Sequence, residues 1–250
     1  MVEQVRAGQI VKNSFEASFR RGGEIKPIKI DAGGETVYIE GKIDRVDYLP
    51  DNRVKIIDYK TGNETFSVTE AKEGYRLQLM LYLKAACEGS QLGQDGPQGG
   101  PQKGKPAGVF YFHITEPMIN MTDKEVDMET LEHEIQKNFK LNGVMVDEPG
   151  VIESIAGDFS GFSEIVPLRA NKDGSIKGTG KENLLSEEDF AQLQEAVTEK
   201  VTEICRDFVE GKIDIHPMKT KTRSACTYCE YKGICRFDTA FDGCEYNVIS

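Results

Sequence analysis

The sequence predicts an α/β protein in which a sheet is flanked by helices. Two runs, Gly41–Asp47 and Val54–Gly62, alternate branched or aromatic residues with polar ones, which is typical of strands. Leu49–Asn52 between them carries the Pro, Asp and Asn that favour a tight turn, so the two runs form a hairpin. Leu77–Leu83 is a strongly apolar helical run, and Ala107–Ile114 reads as a further buried strand. Strands and helices therefore alternate along the first half of the chain.

Two elements are predicted ahead of the hairpin. Residues 1–22 are predicted to form a short amphipathic helix, from the spacing of Val5, Ile10 and Phe15. Residues 35–48 are predicted to run as one long strand. These two elements would lead directly into the acidic hairpin.

After the hairpin, residues 63–69 are predicted to be a loop and residues 70–88 a helix. Gln78 and Tyr82 share one face of that helix because they are four residues apart. Residues 89–106 contain too few apolar side chains to order themselves, which predicts a flexible surface loop.

Further along, residues 125–140 and 186–210 are predicted to be helices. Ser186 is the expected N-cap of the second, because three acidic residues follow it in the first turn. Residues 171–180 are predicted to be a hairpin or a disordered turn.

The charge of the chain restricts its possible partners. The formal net charge is -11, the wrong sign for a protein that binds DNA mainly through its own electrostatic field. A partner or a metal ion can supply positive charge locally, so a nuclease subunit is still compatible with this charge. No run of 18 apolar residues is present, which predicts a soluble, cytoplasmic protein without a membrane segment.

The acidic hairpin carries the strongest chemical pattern. Asp58 and Lys60 point to the same face of their strand, about 7 Å apart at the usual rise per residue. Antiparallel pairing could place Asp44 beside Asp58. Two carboxylates at strand ends suit Mg²⁺ or Mn²⁺, and a lysine next to them can hold or deprotonate a water. The alternative is an exposed strand edge with a salt bridge, but Asp58 follows an apolar pair that predicts burial.

The ordered run Gly-x-Ile-Asp-Arg-x-Asp, Ile-Ile-Asp-Tyr-Lys-Thr-Gly and Gln-Leu-x-Leu-Tyr resembles the RecB-type branch of the PD-(D/E)xK nuclease superfamily. The resemblance implies a restriction-endonuclease-like core with a central mixed sheet. It also implies that a metal is bound by Asp44, Asp58 and the backbone carbonyl of Tyr59. Lys60 would orient or activate the attacking water. Two side chains of the helix would support the site and the scissile phosphate: Gln78 and Tyr82.

The resembled family also places a histidine motif and a helical glutamate ahead of the first aspartate. No histidine precedes Asp44 in this sequence, and Glu16 is the acidic candidate, for which a surface position is the default. His113 is interpreted as a packing or edge residue. His133 and His216 have no metal-ligand partner at suitable spacing.

The C-terminal region contains Cys226, Cys229 and Cys235, spaced as Cys-x2-Cys-x5-Cys. In a reducing compartment such cysteines are metal ligands more often than disulfide partners. Spacing alone indicates zinc, with Cys244 or Cys205 as the fourth ligand. The resemblance to AddB-type helicase–nuclease subunits implies a [4Fe-4S] cluster whose fourth cysteine lies far upstream. No cysteine precedes Cys87, so the resemblance implies an incomplete ligand set in this chain. Cys87 and Cys205 are interpreted as buried small hydrophobic residues.

The resemblance implies three regions: a nuclease core at 1–114, a helical or irregular extension at 115–216, and a cysteine-rich segment at 217–250. It implies a metal-dependent DNA nuclease domain, acting in double-strand-break resection and recombinational repair beside an AddA-like subunit. The alternative is a catalytically inert docking or DNA-end-binding module with the nuclease fold. The acidic charge and the missing upstream motif favour that alternative for the chain by itself.

Overall fold

The computed structural model describes residues 8–89, 92–95, 101–114, 139–176 and 180–249. Within these residues the helices, in chain order, are α1 (Val68–Lys72), α2 (Gln78–Gly89), α3 (Pro149–Ala156), α4 (Glu187–Val209) and α5 (Lys232–Cys235). Short 3-10 turns cover Pro50–Asn52 and Lys181–Asn183. The strands are β1 (Lys12–Phe19), β2 (Ile28–Asp31), β3 (Thr36–Ile39), β4 (Gly41–Tyr48), β5 (Arg53–Lys60), β6 (Leu92–Asp95), β7 (Pro101–Gln102), β8 (Lys105–His113), β9 (Asn142–Val146), β10 (Gly161–Phe162), β11 (Arg169–Ala170), β12 (Leu184–Leu185), β13 (Met218–Lys219) and β14 (Asn247–Val248).

Among the described residues, a six-stranded sheet forms the centre of the molecule, in the order β1-β4-β5-β8-β9-β12. The pairs β1–β4, β4–β5 and β8–β9 are antiparallel, whereas β5–β8 and β9–β12 are parallel. Helix α2 packs against β5 and β8 through fully buried apolar side chains that include Leu79, Met80 and Leu83. The predicted α/β fold, a central mixed sheet flanked by helices, is therefore confirmed.

The acidic hairpin forms as predicted. Arg45 lies opposite Ile57 in the antiparallel β4–β5 pair, and the backbone N–H of Leu49 donates to the carbonyl oxygen of Arg53 across the turn, at 2.8 Å. Asp51 and Asn52 both have φ of +57°, a left-handed conformation that their short polar side chains tolerate. Strand β8 also forms where the sequence predicts it.

The predicted helix over residues 1–22 is wrong in the part that the structure describes. Residues 12–19 form β1, the edge strand that pairs with β4. Ala17 and Phe19 are buried while Ser18 points the other way, a two-residue period that favours a strand over a helix. The sequence carries this alternation, but the spacing of Ile10 and Phe15 also fits a helical face.

The single strand predicted for residues 35–48 is divided at Glu40. Strand β3 pairs with β2 in a separate two-stranded sheet, and β4 then enters the central sheet. Gly41 stands at the join, where a Cβ would lie 2.7 Å from the ring of Phe19. Only glycine lets the backbone pass this close to the aromatic ring.

The predicted helix over residues 70–88 is also divided, into α1 and α2. Gly74 and Arg76 have φ of +91° and +59°, and these left-handed conformations end one helix before the next begins. The long helix α4 is confirmed, and its predicted cap is present because the Ser186 hydroxyl accepts from the backbone N–H of Asp189 at 3.0 Å. The predicted helix at 125–140 falls outside the described residues except for its last two.

The middle of the chain contributes to the central sheet, since β9 and β12 lie between residues 115 and 216. Gly143 lets β9 approach β8 closely, because a Cβ there would lie 1.9 Å from the carbonyl oxygen of Val109. The division into 1–114, 115–216 and 217–250 stays a prediction. Within 89–106, the described backbone forms the short β6–β7 pair. The predicted turn at 171–180 begins with a bond from the Asn171 N–H to the Ser175 carbonyl, at 2.9 Å.

The C-terminal segment from residue 217 is held by few buried side chains. Thr220 and Ile249 are buried, and β13 pairs in parallel with β14. Phe237 and Tyr246 pack edge to face with ring centroids 4.8 Å apart. In the part of the chain that the structure describes, no helix is long and apolar enough to cross a bilayer.

Candidate active site

The site is built where β4 begins and β5 ends. One residue beyond the Arg45–Ile57 pair, the register puts Asp44 opposite Asp58, and directly opposed residues point to the same face of a sheet. The backbone N–H of Tyr59 donates to Oδ2 of Asp44 at 2.9 Å, which fixes that carboxylate against the end of β5. The structure therefore brings together the two aspartates that the sequence paired.

Asp58 is 2% exposed, and its Oδ2 lies 2.6 Å from Nζ of Lys60. Burial raises the pKa of Asp58, the hydrogen bond and charge of Lys60 oppose that rise, and the charges of Asp44 and Glu64 add to it. A buried carboxylate with acidic neighbours is costly unless a cation compensates it. In the described part of the chain, this end of the sheet is thus short of positive charge.

Helix α2 supplies the wall of the site. Nζ of Lys60 donates to Oε1 of Gln78 at 3.0 Å, and Nε2 of Gln78 donates to the hydroxyl of Tyr82 at 2.7 Å. The Tyr82 ring packs edge to face on Phe19, with centroids 5.7 Å apart. Burial raises the pKa of Tyr82, which keeps the phenol protonated at neutral pH. Asp58, Lys60, Gln78 and Tyr82 thus form one continuous polar chain.

Comparison with known proteins agrees with this arrangement. A sequence model of the PD-(D/E)XK nuclease superfamily matches residues 2–236. This chain belongs to the PD-(D/E)XK nuclease superfamily. Membership accounts for the mixed sheet and for acidic residues and a lysine at the end of a hairpin.

Curated relatives narrow the similarity within the superfamily. The chain is 37% identical over 253 residues to a protein of Alkaliphilus oremlandii that is named as the second, or B, subunit of an ATP-dependent helicase/deoxyribonuclease. Proteins of the same name from Clostridium botulinum (strain Loch Maree) and Alkaliphilus metalliredigens are 33% and 36% identical. These alignments cover 99–100% of this chain and 21% of each relative. The chain therefore spans about a fifth of the length of the relatives that it matches.

The donor atoms at the strand ends are those of a hard cation. Asp44 and Asp58 offer carboxylate oxygens, the third donor in the resembled pattern is the carbonyl of Tyr59, and Mg²⁺ and Mn²⁺ prefer such oxygens. Within the described residues, no three His, Cys, Asp or Glu side chains are arranged to hold one ion. Two carboxylates fit Mg²⁺, which commonly keeps several waters. Members of the superfamily generally use divalent metals, and the residues present fit one.

The cysteine-rich segment gives a different result. Cys226, Cys229 and Cys235 line one cavity of about 370 Å³, and all three are free, partly exposed thiols. As placed, they do not form a three-residue metal-binding group, and Cys244 does not line that cavity. The thiols present therefore do not by themselves fit a [4Fe-4S] cluster. Cys87 and Cys205 are buried as predicted, and burial raises the pKa of Cys87 to about 12.

Other residues near the site went unrecognised in the sequence. Tyr111 lies opposite Asp58 on β8, its ring centroid is 5.5 Å from Nζ of Lys60, and burial raises its pKa to about 12. Glu64 follows β5 in the next loop, and Nε2 of His113 lies 2.8 Å from its carbonyl oxygen. The short distance from Lys60 along the sequence was the signal that could have indicated Glu64.

The remaining candidates lie elsewhere. Glu16 is exposed on β1, where it forms an ion pair with Lys42. His216 is exposed, and His133 falls outside the described residues. His113 contacts backbone, which agrees with the structural role expected for it.

Proposed function

We propose that this chain is a metal-dependent DNA nuclease domain that hydrolyses phosphodiester bonds. The observation that carries the proposal is the polar chain Asp58–Lys60–Gln78–Tyr82, next to Asp44 at the end of a hairpin. An ordinary surface salt bridge would not need a helix to hold its lysine. Superfamily membership supports the same class of reaction.

Asp44 and Asp58 would hold Mg²⁺ or Mn²⁺, together with the carbonyl of Tyr59. When bound, the ion supplies Lewis acidity toward a phosphate oxygen and lowers the pKa of water. Lys60 would orient the attacking water and stabilise negative charge that develops on the phosphate. Gln78 fixes the position of the Lys60 ammonium by accepting from it, and Tyr82 fixes Gln78 in turn. The neutral phenol of Tyr82 can also donate to a phosphate oxygen.

For the parent protein, we propose a subunit of a cytoplasmic helicase–nuclease that resects double-strand breaks for recombinational repair. The names of the relatives support a helicase and deoxyribonuclease assembly. The net charge of -11 supports a partner, such as an AddA-like subunit, that contributes the basic surface for DNA. In the parent, Cys226, Cys229 and Cys235 would bind a [4Fe-4S] cluster with a further ligand from another part of the protein.

A second candidate is a nuclease-fold module that docks to a partner or a DNA end without cutting. The net charge favours this candidate for the isolated chain, because the chain lacks a field that would retain DNA. It predicts DNA or partner binding that does not depend on the aspartates.

One assay separates the two candidates. Linear single- and double-stranded DNA would be incubated with the full chain in Mg²⁺ or Mn²⁺, alongside Asp58→Ala and Lys60→Ala. We expect cleavage to fall on the order of 10²–10³-fold in either variant, the usual loss of a group that stabilises transition-state charge. Lys84→Ala is the matched control, because Lys84 is on α2 and pairs with Glu88 away from the site. Cleavage that survives both site substitutions would contradict the nuclease proposal, and DNA binding without cleavage would favour the docking module.

A further inference from the structure

The loop that follows Lys60 is held in place at four successive residues. The carbonyl of Asn63 accepts from Arg223 of the cysteine-rich segment at 2.9 Å, and the carbonyl of Thr65 accepts from Arg76 at 3.3 Å. The remaining two contacts are made by His113 with the carbonyl of Glu64 at 2.8 Å, and by the N–H of Phe66 with Oδ1 of Asn142 at 3.3 Å. Four different parts of the fold therefore fix the backbone around Glu64.

The side chain of Glu64 folds back toward the end of β5. A Cβ at Gly62 would lie 2.8 Å from its Oε2 and 2.9 Å from its Oε1, so the carboxylate covers the glycine backbone. Oε2 is buried and has no hydrogen-bond partner among the described residues. A buried carboxylate oxygen without a partner normally costs about 1–3 kcal/mol, so the fold retains it against an energetic penalty.

The charges around Glu64 indicate what is missing. Its charge contributes to the raised pKa values of both Asp58 and Tyr111, which places it within electrostatic reach of the site. Lys60 pairs with Asp58, and in the described part of the chain that leaves Asp44 and Glu64 without an equivalent cation at this end of the sheet. A divalent cation would compensate the excess negative charge.

We propose that Glu64 is a positioning residue for the divalent cation, and that it acts by accepting a hydrogen bond from a water of the ion's hydration shell. This inference rests on the proposed function, because it uses the same ion. A direct bond is not what the geometry favours, since no three such side chains among the described residues surround a common point. Outer-shell partners of this kind commonly change metal affinity about 10–100-fold when they are removed.

The test measures ion binding in the absence of DNA. Isothermal titration of the full chain with MnCl₂ would compare wild type with Glu64→Gln, which keeps the shape of the side chain and removes its charge. Glu73→Gln is the matched control, because Glu73 is an exposed acid in the connection between α1 and α2. We expect Glu64→Gln to bind Mn²⁺ about 10-fold more weakly and Glu73→Gln to bind as wild type does.

Stability without metal gives a second readout that a merely structural role would not share. Removing an uncompensated carboxylate should leave the metal-free protein at least as stable as wild type, while the stabilisation gained on adding Mn²⁺ becomes smaller. A purely structural glutamate would instead lower the stability of the metal-free protein when it is replaced. If Glu64→Gln does not fold, Glu64→Asp provides the same comparison with a shorter acid, for which we expect a smaller loss of affinity.

Three outcomes are distinguishable. Equal Mn²⁺ affinity in wild type and Glu64→Gln, with binding lost in Asp58→Ala, would overturn the role of Glu64 and leave the cation site intact. Absence of saturable Mn²⁺ binding by folded wild type would overturn both. Saturable binding that depends on Glu64, without DNA cleavage, would support Glu64 and contradict the nuclease proposal.

Discussion

The two faces of the β4–β5 hairpin carry the same kinds of charged residue in opposite states of compensation. On one face Asp47 receives two hydrogen bonds from Arg45, at 2.7 and 2.9 Å, and lies 2.9 Å from Nζ of Lys55. These three side chains are completely buried. On the other face Asp58 pairs with Lys60, and two further carboxylates, those of Asp44 and Glu64, lie nearby. One face is therefore electrostatically closed, and the other is open to a cation.

This difference shows that burial of charge alone does not identify a functional site. The Arg45–Asp47–Lys55 cluster is the more buried of the two, yet its carboxylate already has two cationic partners. Burial lowers the pKa of Lys55 and the charge of Asp47 opposes that shift, as expected for an internal ion network. The excess of carboxylates over cations is what distinguishes the face that could bind metal and substrate.

The largest expected effect is on the closed face. Asp47→Ala would leave two cations buried without their carboxylate, and we expect the free energy of unfolding to fall by about 3–5 kcal/mol. Urea denaturation followed by circular dichroism measures it. Glu35→Ala, at an exposed acidic residue between β2 and β3, should change stability by less than about 0.5 kcal/mol. A loss below about 1 kcal/mol for Asp47→Ala would show that the closed face is not a tightly coupled network.

On the open face, the corresponding substitution should have the opposite sign. Burial raises the pKa of Asp58 above its ordinary 3.8, so the folded chain holds this proton to higher pH than the unfolded chain does. Folding is therefore penalised above the raised pKa and free of that penalty below 3.8. We expect metal-free Asp58→Asn to be about 1 kcal/mol more stable than wild type at about pH 7.

This gain should shrink as the pH falls through the raised pKa of Asp58 and vanish below 3.8, which urea titrations across the acidic range would detect. Asp147→Asn, at an exposed aspartate after β9, is the control and should show no such pH dependence. A destabilised Asp58→Asn at neutral pH would mean that Lys60 fully compensates this carboxylate without metal.

The smallest expected effect concerns how the open face is held. Arg223→Ala removes the hydrogen bond to the Asn63 carbonyl, and we expect a loss of about 0.5–1 kcal/mol of stability. Amide hydrogen exchange should become faster in residues 61–66. Lys221→Ala, two residues earlier and also exposed, should leave that exchange unchanged. Unchanged exchange in Arg223→Ala would show that the cysteine-rich segment does not order this loop.

Elements with a clear local pattern were predictable from sequence. The β4–β5 hairpin, β8 and α4 have alternating or helical apolar spacing and recognisable caps, and they form as predicted. β1 was not predicted, because its short alternating pattern competes with a helical interpretation and is decided by pairing with β4. The break at Gly41 depends on the ring of Phe19, which is distant contact information that a local pattern does not contain.

The same distinction applies to the candidate site. Asp44, Asp58 and Lys60 could be placed together because strand period and hairpin register are fixed by local sequence. Gln78 and Tyr82 could be paired with each other from helical spacing, but their contact with Lys60 depends on how α2 packs against β5. Glu64 could not be assigned, because its orientation is set by contacts with residues as distant as Arg223 and His113.

The most direct test of the open face is an anomalous diffraction measurement on crystals of the full chain soaked in MnCl₂. The account predicts a manganese peak between the carboxylates of Asp44 and Asp58, absent from matched crystals of Asp58→Asn. Well-ordered carboxylates of these two residues with no peak between them, or a peak that persists in Asp58→Asn, would contradict it.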